Sequence, residues 1–186
     1  MVELNSSRWR LCMRSIDVTI YNDSEYLLLV DDILKNEKFK ELSNYVHHNS
    51  NRFQHSLNVS YHSYKIAKKT GLDYVKVARA ALLHDFFLVD NHKLNKSNRV
   101  ITMFNHPREA LENSNKYYLL SDMEKNIIVS HMFPIGLDIP RYKESILVDF
   151  VDDYISIYEA MYAKKNELSA ACTFLLVFAL NLIFRW

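Results

Sequence analysis

The sequence predicts an all-α protein that folds as one compact helical bundle. Only 2 glycines and 3 prolines punctuate its 186 residues, so long stretches are free to be helical. Hydrophobic residues make up 49% of the chain, and its length suits one sizeable core rather than two. Apolar residues recur every three or four positions, as on the buried face of a helix. We therefore expect a single domain over residues 1–186.

Local start and stop signals place the first three helices. Ser24 can cap a helix whose apolar positions repeat at helical spacing, and a second helix is expected within residues 37–48. A third helix over Arg52–Thr70 meets Gly71 where a helix would stop. The apolar positions that follow at helical spacing put His55 on the inward stripe of this helix.

The middle of the chain alternates helices with polar breaks. A helix that opens at Asp73 ends in the doublet His84-Asp85. The polar stretch over residues 89–99 has no apolar period and predicts a loop that borders a site. Pro107 fits the first turn of the next helix.

The last predicted helices carry further candidate residues. Ser121 opens a capping box before a short helix, and prolines and a glycine within residues 134–140 mark a turn. A long helix is then expected over residues 142–165. Asp152 and Glu159 lie on one broad face of it, so at least one acid faces inward.

The C-terminal region leaves two interpretations open. Residues 168–184 form an uncharged run, shorter than the roughly 20 residues that usually span a bilayer. The run is either part of a buried closing helix over about residues 166–184 or a membrane anchor. Cys12 and Cys172 form no CxxC pair, and the N-terminus lacks a continuous apolar segment typical of secretion signals. We expect a cytoplasmic protein, with C-terminal membrane association as the alternative.

The charge balance argues against a long polyanion as partner. Lys and Arg total 23 against 22 Asp and Glu, which gives a net charge of +1. Duplex DNA or RNA binding normally needs a basic face that neutralises several phosphates. No nucleic-acid duplex is therefore expected as partner.

Six side chains able to bind a metal are spread over about half of the chain. They are His55, His84, Asp85, His106, His131 and Asp152. The doublet lies inside the apolar run "ARAALLHDFF", where a buried carboxylate must be paired or coordinated. Imidazoles and carboxylates together suit iron, manganese, cobalt or zinc. We therefore expect one or two divalent transition-metal ions.

The number of candidate ligands favours two ions. Four histidines and two aspartates are more than one ion with an open position needs, whereas two ions sharing Asp85 as a bridge would use them all. Such a binuclear site suits phosphate ester hydrolysis by a metal-activated water, with His84 and Asp85 as the catalytic pair. Arg52, Arg108 and Lys143 each lie close in sequence to a ligand and are candidates for binding the other phosphate oxygens.

Five segments carry a resemblance to a known family. The segments "RFQHSLNV", "AALLHDFF", "NHPREA", "NIIVSHMFP" and "VDDYISIYE" stand in the order and approximate spacing of the HD-domain metal-dependent phosphohydrolases. The resemblance covers about residues 52–160. It implies that His55, His84, Asp85 and Asp152 are the core ligands, and it implies that His106 and His131 mark a two-metal member.

Within that family the chain is similar to bacterial enzymes that split symmetric dinucleoside tetraphosphates, which also have an arginine shortly before the first histidine. Asp153 stands where a lysine commonly follows the ligand aspartate. The glycine-tyrosine-proline signature of the cyclic-di-GMP phosphodiesterases is missing, which disfavours that branch. The resemblance implies a phosphohydrolase acting on a small phosphorylated substrate, a nucleotide or related ester.

Two other functions remain open. One is a non-catalytic sensor or interaction module in which the same pocket binds metal and nucleotide. The other is an enzyme tethered to a membrane by residues 168–184.

Overall fold

The computed structural model describes residues 20–47, 50–89 and 94–164, and helices dominate them. The α-helices are α1 (Ser24–Lys35), α2 (Glu37–Lys40), α3 (Arg52–Thr70), α4 (Tyr74–Leu83), α5 (Lys96–Tyr117), α6 (Asp122–Ser130) and α7 (Lys143–Lys164). The two-residue strands β1 (Val46–His47) and β2 (Ser50–Asn51) pair antiparallel just before α3. The all-α prediction is confirmed.

Helix α3 lies at the centre of the packing. It packs against α4 and α7, while α6 packs against α4, α5 and α7. Ala78, Ala80 and Ala81 on α4 are fully buried, and their small side chains allow the neighbouring helices to approach closely. This arrangement brings the C-terminal end of α4 into the interior.

Several predicted helix ends are confirmed by their caps. The Asn51 side chain accepts a hydrogen bond from the Gln54 amide at 2.8 Å, so α3 begins at Arg52. Gly71 ends α3 in the left-handed region with φ of 73°, which glycine adopts without a steric penalty. Ser121 and Glu124 form the predicted capping box before α6.

The first two predicted helices need corrections. Asp23, not Ser24, caps α1, because its carboxylate accepts from the Tyr26 amide at 3.1 Å. The predicted second helix is only α2 and a 3₁₀ turn over Glu41–Asn44. Short polar side chains compete for the backbone there: the Ser43 hydroxyl donates to the Lys40 carbonyl at 2.8 Å. The chain then turns into β1.

The predicted loop over residues 89–99 and the predicted place of Pro107 were also partly wrong. Helix α5 already begins at Lys96, because the Asn95 side chain accepts from the Asn98 amide at 2.9 Å. Pro107 consequently lies in the interior of α5 rather than in its first turn. Pro107 has no N–H to donate to the Met103 carbonyl, and the His106 side chain contacts that carbonyl instead.

The C-terminal apolar run lies outside the described residues. The predicted helix over residues 166–184, Cys12 and Cys172 fall there as well. Among the helices of the described ranges, none has the length and apolar character needed to cross a membrane. The single domain over residues 1–186, and the choice between closing helix and anchor, stay predictions.

Candidate metal centre

The six predicted ligands come together in the interior of the bundle. His55 lies on α3, His84 and Asp85 directly follow α4, His106 lies in α5, His131 directly follows α6, and Asp152 lies on α7. Each of these residues is at most 7% exposed. Residues separated by almost a hundred positions therefore share one buried cluster.

One half of the cluster is formed by His55, His84 and Asp152. The Asp152 Oδ1 atom lies 2.9 Å from His55 Nε2 and 3.5 Å from His84 Nε2. One ligand atom from each of the three side chains lies within 4.8 Å of the others. Two imidazole nitrogens and one carboxylate oxygen thus face a common point.

The other half is formed around Asp85. Its Oδ1 atom lies 3.4 Å from His106 Nε2 and 3.8 Å from His131 Nε2, and its Oδ2 atom lies 3.9 Å from His84 Nε2. His84, Asp85 and His131 form a second group whose ligand atoms are within 4.8 Å. Asp85 therefore presents one oxygen to each half of the cluster.

Three of the histidines are oriented by main-chain carbonyl groups. The pairs are His84 Nδ1 with the Ala81 carbonyl at 2.7 Å, His106 Nδ1 with that of Met103 at 2.8 Å, and His131 Nδ1 with that of Ile128 at 2.8 Å. A carbonyl only accepts, so each Nδ1 carries a proton, and each Nε2 atom remains to bind an ion in the neutral form of its ring. The three lone pairs point into the cluster.

The sequence explains why these carbonyl groups are free to accept. Ala81 and Ile128 lie in the last turns of their helices, where carbonyls lack an intrahelical partner. Met103 lies within α5, but the residue four positions later is Pro107, which has no N–H to donate. The helix-interior proline thereby leaves the Met103 carbonyl to His106.

Two observations show that this donor set fits a metal ion. The His106 and His131 Nε2 atoms lie 3.0 Å apart, although both rings already use their Nδ1 protons elsewhere. The Nε2 atom of His84 is buried and makes no hydrogen bond within the described ranges. Ligand atoms on one transition-metal ion are about 3 Å apart at bond lengths of about 2.0–2.1 Å. A bound cation would occupy these lone pairs.

The electrostatics of the two halves differ. Burial, with the neighbouring His84 and His106, lowers the pKa of His131 to about 3, so this ring is neutral as a ligand must be. Burial also acts to lower the pKa of His55, but hydrogen bonds with the Asp152 and Glu159 carboxylates outweigh it and raise the pKa to about 10.

The pKa of Asp152 also shifts. Burial acts to raise it, and His84 and His55 hold it well below its usual range. The Asp152 carboxylate is therefore ionised and acts only as an acceptor, as a candidate metal ligand must.

Glu159 is a residue of the site that the sequence analysis did not assign. Its Oε2 atom lies 3.1 Å from His55 Nδ1, and the residue is 9% exposed. The available signal was its spacing: it follows Asp152 by seven residues, which is two turns on the same face of α7. Sequence spacing alone did not reveal which side chain it meets.

The three cations predicted to bind phosphate lie in different environments. The Arg52 guanidinium is fully buried, donates to the Phe87 carbonyl at 2.6 Å and the Val89 carbonyl at 3.2 Å, and lies 3.5 Å from the Phe87 ring centroid. These contacts tie Arg52 to the segment after α4. Arg108 is exposed and pairs with Asp138 at 3.3 Å, and Lys143 is exposed at the start of α7. Their phosphate contacts stay predictions.

A sequence model of the HD domain matches residues 52–157, which is more than half of the chain. The chain belongs to the HD-domain family. This superfamily comprises metal-dependent phosphohydrolases, and the buried His and Asp groups of this HD domain could hold a metal ion. The comparisons give no match among curated proteins and none among solved structures. The closer resemblance to the dinucleoside tetraphosphatases stays a prediction.

Proposed function

We propose that this HD domain is a metal-dependent phosphohydrolase that cleaves a small phosphorylated substrate, a nucleotide or related phosphate ester. One observation carries the proposal: the His106 and His131 Nε2 atoms face each other at 3.0 Å, with both Nδ1 atoms bonded to carbonyls. Two neutral rings carry two protons, whereas the two carbonyl contacts and the Nε2–Nε2 contact need three. A cation shared by the two Nε2 atoms would take the place of the missing proton.

The residues would hold two ions. His55, His84 and Asp152 would hold one, and His106 with His131 would hold the other. Asp85 would bridge them, because its Oδ1 faces His106 and His131 while its Oδ2 faces His84. Bound divalent ions supply Lewis-acid chemistry that lowers the pKa of a water and stabilises charge on phosphoryl oxygens. The imidazole and carboxylate donors of this set suit iron, manganese, cobalt or zinc.

The chain's own residues supply orientation and charge balance. Carbonyl groups fix the tautomers of His84, His106 and His131, so their lone pairs need no reorganisation when an ion binds. The carboxylates of Asp85 and Asp152 offset part of the charge of two divalent ions, which leaves a net positive site for a phosphate group. This chemistry requires no protein nucleophile.

The substrate proposal rests on charge and on resemblance. The net charge of +1 disfavours an extended polyanion, and the segments around the ligands resemble those of dinucleoside tetraphosphatases. A symmetric dinucleoside tetraphosphate is therefore the first compound to test. Nucleoside mono-, di- and triphosphates and simple phosphate esters complete the panel.

The test measures bound metal and turnover in matched variants. The unmodified protein is expected to bind close to two ions and to release phosphate or nucleotide from at least one compound. Asp85→Asn removes the proposed bridge and should lower turnover at least about 100-fold, a loss typical for a metal ligand or its support. Asp31→Asn is the control, because Asp31 is exposed and pairs only locally with Lys35.

Two results would contradict the proposal. Asp85→Asn with unchanged metal content and turnover would remove Asp85 from the chemistry. Saturable nucleotide binding without hydrolysis under every tested metal would instead identify the HD domain as a sensor.

A further inference from the structure

His55 differs from the other site histidines in what orients it. His84, His106 and His131 donate to carbonyls three residues earlier in their own chain segment. The Nδ1 atom of His55 instead lies 3.1 Å from Glu159 Oε2, 104 residues further along the chain. The orientation of this ring therefore depends on a side chain of another helix.

The same helix contacts both nitrogens of the ring. On α7, Asp152 reaches His55 Nε2 at 2.9 Å and Glu159 reaches Nδ1 at 3.1 Å. Both acids are nearly buried, with 7% and 9% of their surface exposed. Their spacing of seven residues is two helical turns, so both belong to one face of α7. The imidazole is held between two carboxylates.

The two carboxylates have different neighbours. Asp152 Oδ1 also lies 3.5 Å from His84 Nε2, so it belongs with the cluster of ligand atoms. Glu159 lies on the opposite nitrogen of the ring, where it can accept the Nδ1 proton and leave the Nε2 lone pair for an ion. Carboxylates in this place fix the tautomer of metal-binding histidines and raise their basicity.

We propose that Glu159 is a positioning residue that holds His55 with its Nε2 atom toward the ion of the His55, His84 and Asp152 half. This inference rests on the proposed function, because it concerns the same metal centre. Glu159 sets metal affinity through His55 and does not itself bind the ion.

The experiment compares four variants of the full chain, two at Glu159 and two at a matched control. Glu159→Met removes the acceptor at similar size, and Glu159→Gln keeps a carbonyl oxygen that can accept the Nδ1 proton. Glu144 is the control, since it lies on the same helix, is equally 9% exposed and accepts a hydrogen bond from the Asp73 amide rather than from a ligand. Glu144→Met and Glu144→Gln complete the set.

Zinc and manganese affinities are measured by titration without substrate, and the His55 ring is observed by long-range proton–nitrogen NMR of the zinc form. Glu159→Met should bind metal about 10–100-fold more weakly, the loss expected when the partner of a ligand histidine is removed. Glu159→Gln should recover part of that affinity. The His55 Nδ1–H proton should resonate at lower field in the unmodified protein than in Glu159→Met, because the variant lacks the carboxylate that accepts it. The control variants should bind metal within about 3-fold of the unmodified protein, because the ligand set and its partners are intact.

Unchanged metal affinity and an unchanged His55 Nδ1–H signal in Glu159→Met would overturn the inference, and so would an equal loss of affinity in Glu144→Met. The proposed function fails separately. A protein that binds metal through Glu159-dependent His55 but hydrolyses no compound supports the positioning role and contradicts the enzyme. Hydrolysis that is insensitive to Glu159, with intact metal binding, contradicts only the positioning role.

Discussion

His62 is a partly buried histidine of α3 that lies outside the metal centre. Its Nε2 atom is buried and makes no hydrogen bond with the described residues. Burial lowers its pKa below the ordinary 6.5, because a charged ring loses hydration there. The folded protein therefore favours the neutral ring.

This shift predicts a pH-dependent contribution to stability. Below pH 6.5 the unfolded chain binds a proton at His62 more readily than the folded protein does, so the contribution is present above pH 6.5 and is lost as the pH falls below it. His62→Gln should lose less unfolding free energy than the unmodified protein between pH 8 and pH 5.5. Urea denaturation across this range measures the difference. Parallel losses in both proteins would contradict the assignment.

Tyr26 links three helices through a buried hydroxyl. It donates to the Ser60 hydroxyl at 2.8 Å, and Ser60 donates to the Ala78 carbonyl at 2.6 Å. Tyr26→Phe should lower the free energy of unfolding by about 1 kcal/mol, the usual net value of one buried hydrogen bond. Tyr117→Phe is the control, because that side chain is 47% exposed. Urea denaturation should show no loss above about 0.5 kcal/mol in the control.

Within α5, Pro107 lowers helix stability and leaves the Met103 carbonyl to orient His106. Pro107→Ala restores an N–H that can donate to the Met103 carbonyl, in competition with His106 Nδ1. The variant should unfold at a higher temperature, since a proline in a helix interior costs up to about 3 kcal/mol. It should also bind the ion proposed to lie between His106 and His131 more weakly.

Thermal denaturation and metal titration measure these opposite effects on the same sample. Asn105→Ala is the control, since Asn105 is exposed and its substitution leaves the Met103 carbonyl unaffected. A variant that gains stability and keeps full metal affinity would show that the freed carbonyl is not needed.

The segment after α4 is held in place by Arg52 at the start of α3. Arg52→Lys removes the planar contact with Phe87 and weakens the hydrogen bonds to the Phe87 and Val89 carbonyls, because an ammonium group lacks the rigid fork of donors. We expect a loss of about 1.5–3 kcal/mol in unfolding free energy, the range for hydrogen bonds to charged groups. Because Phe87 lies 4.9 Å from His106 between ring centroids, metal affinity should fall as well. Arg108→Lys, at an exposed ion pair, should keep its stability within about 0.5 kcal/mol.

The bounds of α3 and the start of α6 could be predicted from the sequence, whereas the starts of α1 and α5 were missed although their caps, Asp23 and Asn95, are equally local. Asn51, Gly71 and Ser121 act within one turn, so local chemistry fixes the ends of α3 and the start of α6. Proline is usually absent from helix interiors, because it leaves one carbonyl without a backbone donor. In α5 that carbonyl belongs to Met103, and it accepts from His106 instead. That compensation involves a side chain whose direction the sequence alone does not give.

Binding of metal should stabilise the folded protein as a unit, because the proposed ligands come from α3, α5 and α7 and from the residues after α4 and α6. An ion at 100 times its Kd stabilises the fold by about 2.7 kcal/mol if the unfolded chain does not bind it. Removing metal with a chelator should lower the Tm, and adding manganese or zinc should restore it. The Asp85→Asn variant should respond less, and an equal response would argue against the site.

The sequence predicts which side chains are candidate ligands, but it does not predict their mutual arrangement. The doublet was conspicuous because Asp85 lies in an apolar run, and the ordered motifs supplied the remaining ligands. The contact between His55 and Glu159 joins residues 104 positions apart, and no local pattern encodes it. The buried placement of Arg52 likewise depends on where the segment after α4 passes, which only the packed fold determines.

The carbonyl partners of three site histidines make the orientation of those rings tolerant of substitution at the residues that carry the carbonyls. Ala81, Met103 and Ile128 contribute a backbone oxygen, and every amino acid carries the same oxygen at these positions. Their side chains are free to vary within the limits of packing, and the ring they orient keeps its tautomer. Related proteins can therefore carry other residues at these three positions without compensating substitutions among the site residues.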